Sequence, residues 1–132
     1  MVGRPQVVVL TMARYEELAG RAAIIAGGAT LIGVAVARAF LAQGVRVVIA
    51  DIDRAGGERA EADLGSEALF VETDVTSDTA IEACIARMIA RFGRLDFLVN
   101  VTTSYLDDGL ATKRETWLKA LDIGLVGGAM FA

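Results

Sequence analysis

The chain has no histidine and only one cysteine, Cys84. A lone thiol has no partner for an internal disulfide, and without imidazoles a Cys/His zinc site lacks ligands. A reducing compartment, the cytoplasm, is therefore the expected location. Aromatic residues make up only 6% of the chain, so the core must be built from aliphatic side chains. There is no basic excess either, since 13 Lys and Arg stand against 17 Asp and Glu for a net charge of -4. Neither nucleic acid nor an anionic membrane is an expected partner. No apolar run approaches the length of a membrane span, and the longest early stretch, Val7 to Leu10, is too short for a signal-peptide core. Internal repeats, linkers and low-complexity tracts are also missing.

What is present is an aliphatic chain of 132 residues, 55% of them hydrophobic. That balance suits parallel strands covered by helices on both faces. The length predicts one domain, with room for one binding half of a doubly wound sheet. The first eleven residues fit no element, and Met12 stands just before Ala13-Arg14-Tyr15-Glu16-Glu17-Leu18. The expected organisation is a disordered extension over residues 1–17, with a natural start at Met12, followed by a nucleotide-binding half-domain over 18–132.

Within that half-domain, Ala22-Ala23-Ile24-Ile25-Ala26 reads as a strand, and Ile32, Val36, Ala39 and Phe40 follow helical spacing. A second strand over Val45–Ala50 ends at Asp51, a polar helix covers Arg54–Leu64 with Gly65 to stop it, and Ala68–Val71 forms a third strand. Ser77 or Asp78 caps a helix whose stripe is Ile81, Cys84, Ile85, Met88, Ile89 and Phe92; Gly93 ends it and Leu95–Asn100 forms strand four. From Lys113 the helical spacing resumes, and the glycines at 124, 127 and 128 predict close packing there. Trp117 is expected in the core. Strands alternating with helices imply a parallel sheet with right-handed crossovers.

The first turn, Ala26-Gly27-Gly28-Ala29-Thr30-Leu31-Ile32-Gly33, joins a strand to a helix, and Asp51 ends the next strand. Glycines let backbone N–H groups approach a pyrophosphate, the helix start adds positive charge, and a carboxylate can hold a ribose hydroxyl. This is the pattern of a dinucleotide site, with NAD the expected ligand. A lone glycine turn is weak evidence; its combination with Asp51, Asp74 and Asn100, each at its own strand end, is much stronger.

From about Leu18 onward the chain resembles the N-terminal half of a short-chain dehydrogenase/reductase. The resemblance implies an α/β fold, a Rossmann-type three-layer parallel sheet truncated after about four strands. The family's Thr-Gly-x-x-x-Gly-x-Gly motif falls on Ala26, Gly27, Leu31 and Gly33, so Leu31 replaces the middle glycine. Asp51 matches the acidic residue that accepts from the adenosine ribose. Thr30 and Ile52 occupy the places where NADP-preferring relatives carry a basic side chain, which favours NAD; nearby Arg54 is expected to solvate a helix start. Asp74 and Val75 match the pair that meets the adenine ring. Asn100 matches the start of Asn-Asn-Ala-Gly, with Val101, Thr102 and Thr103 replacing the rest. The implied cofactor-binding set is thus Gly27, Thr30, Leu31, Ile32, Gly33, Asp51, Ile52, Asp74, Val75 and Asn100.

The same resemblance implies hydride transfer between NAD and a small alcohol or ketone, supported by Asn, Ser and Tyr-x-x-x-Lys. Gly124 stands at the Asn position, and Ala19 and Gly109 stand four residues after Tyr15 and Tyr105. No catalytic residue is therefore assigned, and turnover is expected only if a C-terminal half is supplied. No metal site is assigned, since Asp107 and Asp108 lack further ligands. Cys84 reads as a buried structural thiol, and Thr102, Thr103 and Ser104 as a turn. Two competing readings are a non-catalytic nucleotide-binding or assembly module and a methyltransferase-like fragment. An unpaired fourth strand and an uncovered last helix would favour homo-oligomers or aggregation.

Overall fold

The computed structural model describes residues 13–106 and 108–132. Four parallel strands, β1 (Ala22–Ala26), β2 (Arg46–Asp51), β3 (Ala68–Glu72) and β4 (Phe97–Asn100), lie in the order β3-β2-β1-β4. Three helices cover them: α1 (Leu31–Ala42), α2 (Arg54–Leu64) and α3 (Asp78–Phe92). The chain then runs through α4 (Arg114–Leu121), a π-type segment at Asp122–Val126 and a short α5 (Gly127–Met130).

Alternation along β1 explains the three layers. Ala23 and Ile25 pack with Ala37, Val36 and Phe40 of α1 and Leu64 of α2, whereas Ala22, Ile24 and Ala26 pack with Ile81, Cys84 and Met88 of α3. A strand buried on both faces must be apolar at every position, and all of β1 is buried. The aromatic contribution is small; Phe40 and Phe97 meet at 5.8 Å between centroids.

Helix α3 begins at Ser77, whose hydroxyl accepts from Ala80 N–H, and ends at Gly93 in the left-handed region (φ +76). Its buried stripe is narrower than the sequence predicts. Ile81, Cys84, Met88 and Phe92 are buried, but Ile89 is exposed because one sheet face covers only part of the helix circumference. Burial raises the Cys84 thiol above its ordinary value, as befits a structural residue.

Three further expectations are corrected. Trp117 is 52% exposed, and Leu118, Leu121 and Leu125 are exposed with it, so the apolar face of this segment is left open among the described residues. Arg54 does not merely solvate a helix start; its guanidinium pairs with Glu72 at the end of β3. Residues 13–17 of the expected extension are docked, since Gln43 accepts from Tyr15 N–H at 2.8 Å and donates to the Ala13 carbonyl at 2.9 Å. Residues 1–12, and with them the expected start at Met12, lie outside the described residues.

Asp96, just before β4, ties the start of β1 to its neighbour. Its carboxylate accepts from Arg21 Nη1 and Ala22 N–H, both at 2.9 Å, and from two nitrogens of Arg94 at 2.6 Å. The Arg94 hydrogen bond, reinforced by Arg21 and Ala22, holds its pKa well below the usual carboxylate range. A depressed folded-state pKa contributes stability above the unfolded value of about 3.9 and loses it as pH falls below that. Asp96→Asn is accordingly expected to lower Tm at pH 7 and to flatten the fall of Tm below about pH 4. Thermal unfolding followed by circular dichroism from pH 7 to pH 2.5 checks both; parallel curves for the two proteins would contradict the assignment.

Candidate nucleotide-binding site

Successive strands β1, β2 and β3 step to one side of β1, and β4 returns to the other. The strand order reverses between β1 and β4, which is where a doubly wound sheet opens a crevice beyond its strand ends. A cavity of about 200 Å³ lies there, lined by Gly27, Thr30, Asp51, Ile52, Val75, Val101, Thr102, Thr103, Tyr105 and Ile123.

Close packing within the protein accounts for the glycines of the first turn. Gly27 has φ +79, and a Cβ there would come within 2.9 Å of the Thr102 nitrogen and the Val101 carbonyl carbon. The chain leaving β4 therefore needs a glycine beneath it. A Cβ on Gly33 would run into the Gly27 carbonyl and the Gly28 backbone, so α1 can start this close to the turn only without a side chain. Gly28 is equally restricted, since a Cβ there would meet the Ile25 carbonyl oxygen and Ile49 Cγ2, both at 2.7 Å.

The features that point to a ligand are polar. Thr30 caps α1: its hydroxyl accepts from Gly33 N–H at 3.1 Å and lies 2.9 Å from the Gly27 carbonyl. The first-turn N–H groups of Leu31 and Ile32 have no intrahelical acceptor, and none elsewhere among the described residues. They form a donor pair at the positive end of the helix. Leu31 is 94% exposed, and its side chain does not line the cavity.

Asp51 faces the same turn. Its Oδ2 accepts from Ala29 N–H and its Oδ1 from Asp53 N–H, each at 3.0 Å. A carboxylate has about four acceptor positions, so roughly two are left for a ligand. Asp74 is held by Thr76, whose hydroxyl (2.7 Å) and N–H (2.9 Å) both donate to Oδ1. These bonds, the hydroxyl's first, hold its pKa below the ordinary value and leave Oδ2 as a charged acceptor. Val75 is buried beside the cavity, and its carbonyl abuts Gly127, where a side chain would collide.

Asn100 secures the far wall. Its Oδ1 accepts from Thr102 N–H at 3.1 Å, and its Nδ2 donates to the Gly124 carbonyl at 3.3 Å. The Thr102 hydroxyl lies 2.6 Å from Asn100 Oδ1 and 3.1 Å from the Ile123 carbonyl, and its single proton serves one of them at a time. The end of β4 is thus latched to the π-type segment. A Cβ on Gly128 would strike Asn100 Nδ2, whereas one on Gly124 would meet nothing within 4 Å. Close packing predicted for the three late glycines holds at 127 and 128, but not at 124.

Of the predicted set, Gly27, Thr30, Asp51, Ile52 and Val75 line the cavity. Leu31, Ile32, Gly33, Asp74 and Asn100 lie outside its lining. Val101, Thr102, Thr103, Tyr105 and Ile123 line it without having been assigned to it. The hydroxyls of Thr102 and Thr103 read as a turn, and for Val101, Tyr105 and Ile123 the only signal is position, shortly after Asn100 or beside Gly124. Among the described residues no three His, Cys, Asp or Glu side chains are grouped to hold a metal, and no helix is long and apolar enough to cross a membrane. Asp107 lies outside the described residues.

Comparison with known proteins agrees with this geometry. Residues 27–132 match the family model described as enoyl-(acyl carrier protein) reductase. Rabbit (Oryctolagus cuniculus) L-fucose dehydrogenase is 36% identical over 118 residues, covering 88% of this chain and 41% of the rabbit protein. Human 3-hydroxyacyl-CoA dehydrogenase type-2 is 32% identical over 122 residues, covering 87% of this chain and 47% of the human one. The 3-ketoacyl-(acyl-carrier-protein) reductase of Brucella melitensis, solved with NADH, superposes with a TM-score of 0.81 at 28% identity, over 86% of this chain and 48% of that one. A short chain dehydrogenase from Bacillus anthracis gives a TM-score of 0.79 at 25% identity, with the same two coverages of 86% and 48%. The chain spans less than half the length of each of these proteins. Matched by the family model over most of its length, and carrying the β3-β2-β1-β4 sheet with its glycine turn and strand-end acids, the chain belongs to the short-chain dehydrogenase/reductase family.

Proposed function

We propose that this chain binds NAD at the crevice between β1 and β4. The observation that carries the reading is the Ala29 N–H bond to Asp51, which fixes a hydroxyl acceptor beside the free donor pair of α1. In this reading the N–H groups of Leu31 and Ile32 receive the pyrophosphate and Asp51 accepts from the adenosine ribose. Asp74 Oδ2 accepts from the adenine amino group, while Ile52 and Val75 contact the ring. The Brucella relative's bound NADH supports the same ligand.

NAD is preferred to NADP because Asp51 would repel a 2′-phosphate and, among the described residues, no cation lines the cavity. Arg54, the nearby guanidinium, is paired with Glu72. Bound nicotinamide dinucleotide supplies the hydride acceptor or donor, and the dehydrogenase names among the relatives support an alcohol or ketone as the other substrate of the complete enzyme type. The residues present here hold the nucleotide. They do not move the substrate proton, since no Tyr-x-x-x-Lys occurs and Gly124 replaces the Asn.

Isothermal titration calorimetry of the 132-residue protein tests the reading. NAD is expected to bind at least about 10-fold more tightly than NADP, the effect of one to two charge-assisted hydrogen bonds. Heat with S-adenosylmethionine but not NAD, or equal affinity for NAD and NADP, would overturn it. A dehydrogenase assay on the same sample is expected to show no turnover. An assembly role is the second reading, favoured by the exposed Trp117, Leu118, Leu121 and Leu125 and by β4, which pairs only with β1 among the described residues. Self-association through that face is the partner it implies.

A further inference from the structure

One wall of the cavity carries a large side chain that the nucleotide motifs do not assign. We propose that Tyr105 is a ligand-contacting residue, its ring covering the adenosine portion of the nucleotide from the β4 side. This rests on the nucleotide reading above and adds to it a residue outside the motif.

Tyr105 lines the cavity yet is 88% exposed. Among the described residues its ring meets no other aromatic ring and its hydroxyl has no hydrogen-bond partner. An aromatic side chain of this size brings its full value only when covered, and among the described residues little covers this one. Ile52, which is 66% exposed, lines the same cavity. Ile52 follows β2 and Tyr105 follows β4, the two strands that flank β1, so they reach the cavity from either side of the central strand. A flat, neutral ring system entering between them gains apolar contact from both sides.

The chemistry of the lining selects which part of the ligand sits there. Among the described residues its one charged side chain is Asp51, an anion, and the rest of the lining is aliphatic, hydroxyl or aromatic. Phosphate is therefore disfavoured inside the cavity and is directed to the α1 N–H groups outside it. The uncharged nucleoside end occupies the cavity, with Asp51 at its hydroxyls and Tyr105 at its apolar surface. Base–aromatic contact needs the ring and not the phenol oxygen, in keeping with a hydroxyl that binds nothing.

Titration calorimetry with ADP-ribose and with NAD on the 132-residue protein, Tyr105→Ala and Tyr105→Phe tests this. Tyr105→Ala is expected to bind both ligands about 10-fold more weakly, and Tyr105→Phe to bind within about 2-fold of the parent. Tm should change little in either variant, because the side chain is 88% exposed. In the NMR spectrum of the ADP-ribose complex, adenine or ribose protons should show Overhauser contacts to the Tyr105 ring protons. Undiminished affinity of Tyr105→Ala while the parent protein binds would overturn the role of Tyr105 alone. Failure of the parent to bind either ligand would overturn the nucleotide reading and this role with it. An altered sedimentation coefficient for Tyr105→Ala with unchanged affinity would instead assign the ring to contact with a second copy.

Discussion

Gly33→Val is expected to lower stability by about 1–3 kcal/mol and to abolish measurable NAD binding. A Cβ at this position meets the Gly27 carbonyl and the Gly28 backbone, and backbone cannot swing aside as a long side chain can. Relief requires moving the start of α1 away from the turn. That displaces Thr30, whose hydroxyl caps Gly33, and with it the N–H groups of Leu31 and Ile32. Urea unfolding reports the first effect as a lower midpoint at unchanged slope, and calorimetry with NAD reports the second. Gly124→Ala is the matching control. Open space surrounds it, so it is expected to keep or gain up to about 1 kcal/mol, the helix-propensity difference between Gly and Ala. Equal losses in the two variants would show that the packing at Gly33 is not what matters.

Asp51→Ala is expected to weaken NAD binding by about 10- to 100-fold, since hydrogen bonds to a charged group are worth about 1.5–3 kcal/mol. The substitution removes the proposed ribose acceptor and also frees Ala29 N–H, which now donates to Oδ2 at 3.0 Å. NADP is expected to respond differently, its affinity holding or rising as the repulsive carboxylate disappears. The ratio of the two affinities should therefore collapse even though the site loses only one side chain. Competition calorimetry with NAD and NADP measures that ratio directly. A parallel loss for both nucleotides would mean that Asp51 acts only by supporting the turn. The stability change should be small beside the binding change, because Asp51 is half-buried at a strand end and its backbone partners can reach water.

The order of strands and helices was legible because burial leaves a periodic trace. β1 is apolar at every position, and the structure shows why: alternate residues serve different helices. Ser77 and Gly93 bracket α3 as cap chemistry requires. The acids were legible for a related reason, since a carboxylate at or just past the C-terminal end of a buried strand stands where the crevice opens. Trp117 failed as a core residue because helical spacing shows that a face is apolar, not that anything lies against it. Ile89 failed in the same way.

The glycines teach a different lesson. Read along the chain, Gly27 and Gly33 suggest room for a pyrophosphate. In three dimensions each is already required by packing inside the protein, Gly27 under the chain leaving β4 and Gly33 against the turn itself. The groups with spare hydrogen-bonding capacity for a ligand are the Leu31 and Ile32 N–H donors and the Asp51 and Asp74 carboxylates. Leu31, which stands where the family has a glycine, turns out to face solvent and not to line the cavity.

The sequence by itself determined the parallel α/β architecture, the position of the cradle after β1 and the acidic residues after β2 and β3. These depend on local periodicity, turn chemistry and spacing, all of which are properties of neighbouring residues. Only the tertiary structure decided that β4 returns to the far side of β1 and brings Val101, Thr102, Thr103 and Tyr105 to a cavity formed with Asp51 and Ile52. Contacts between residues some fifty positions apart arise from strand order, and nothing in the identity of a threonine or a tyrosine announces which strand end it will face.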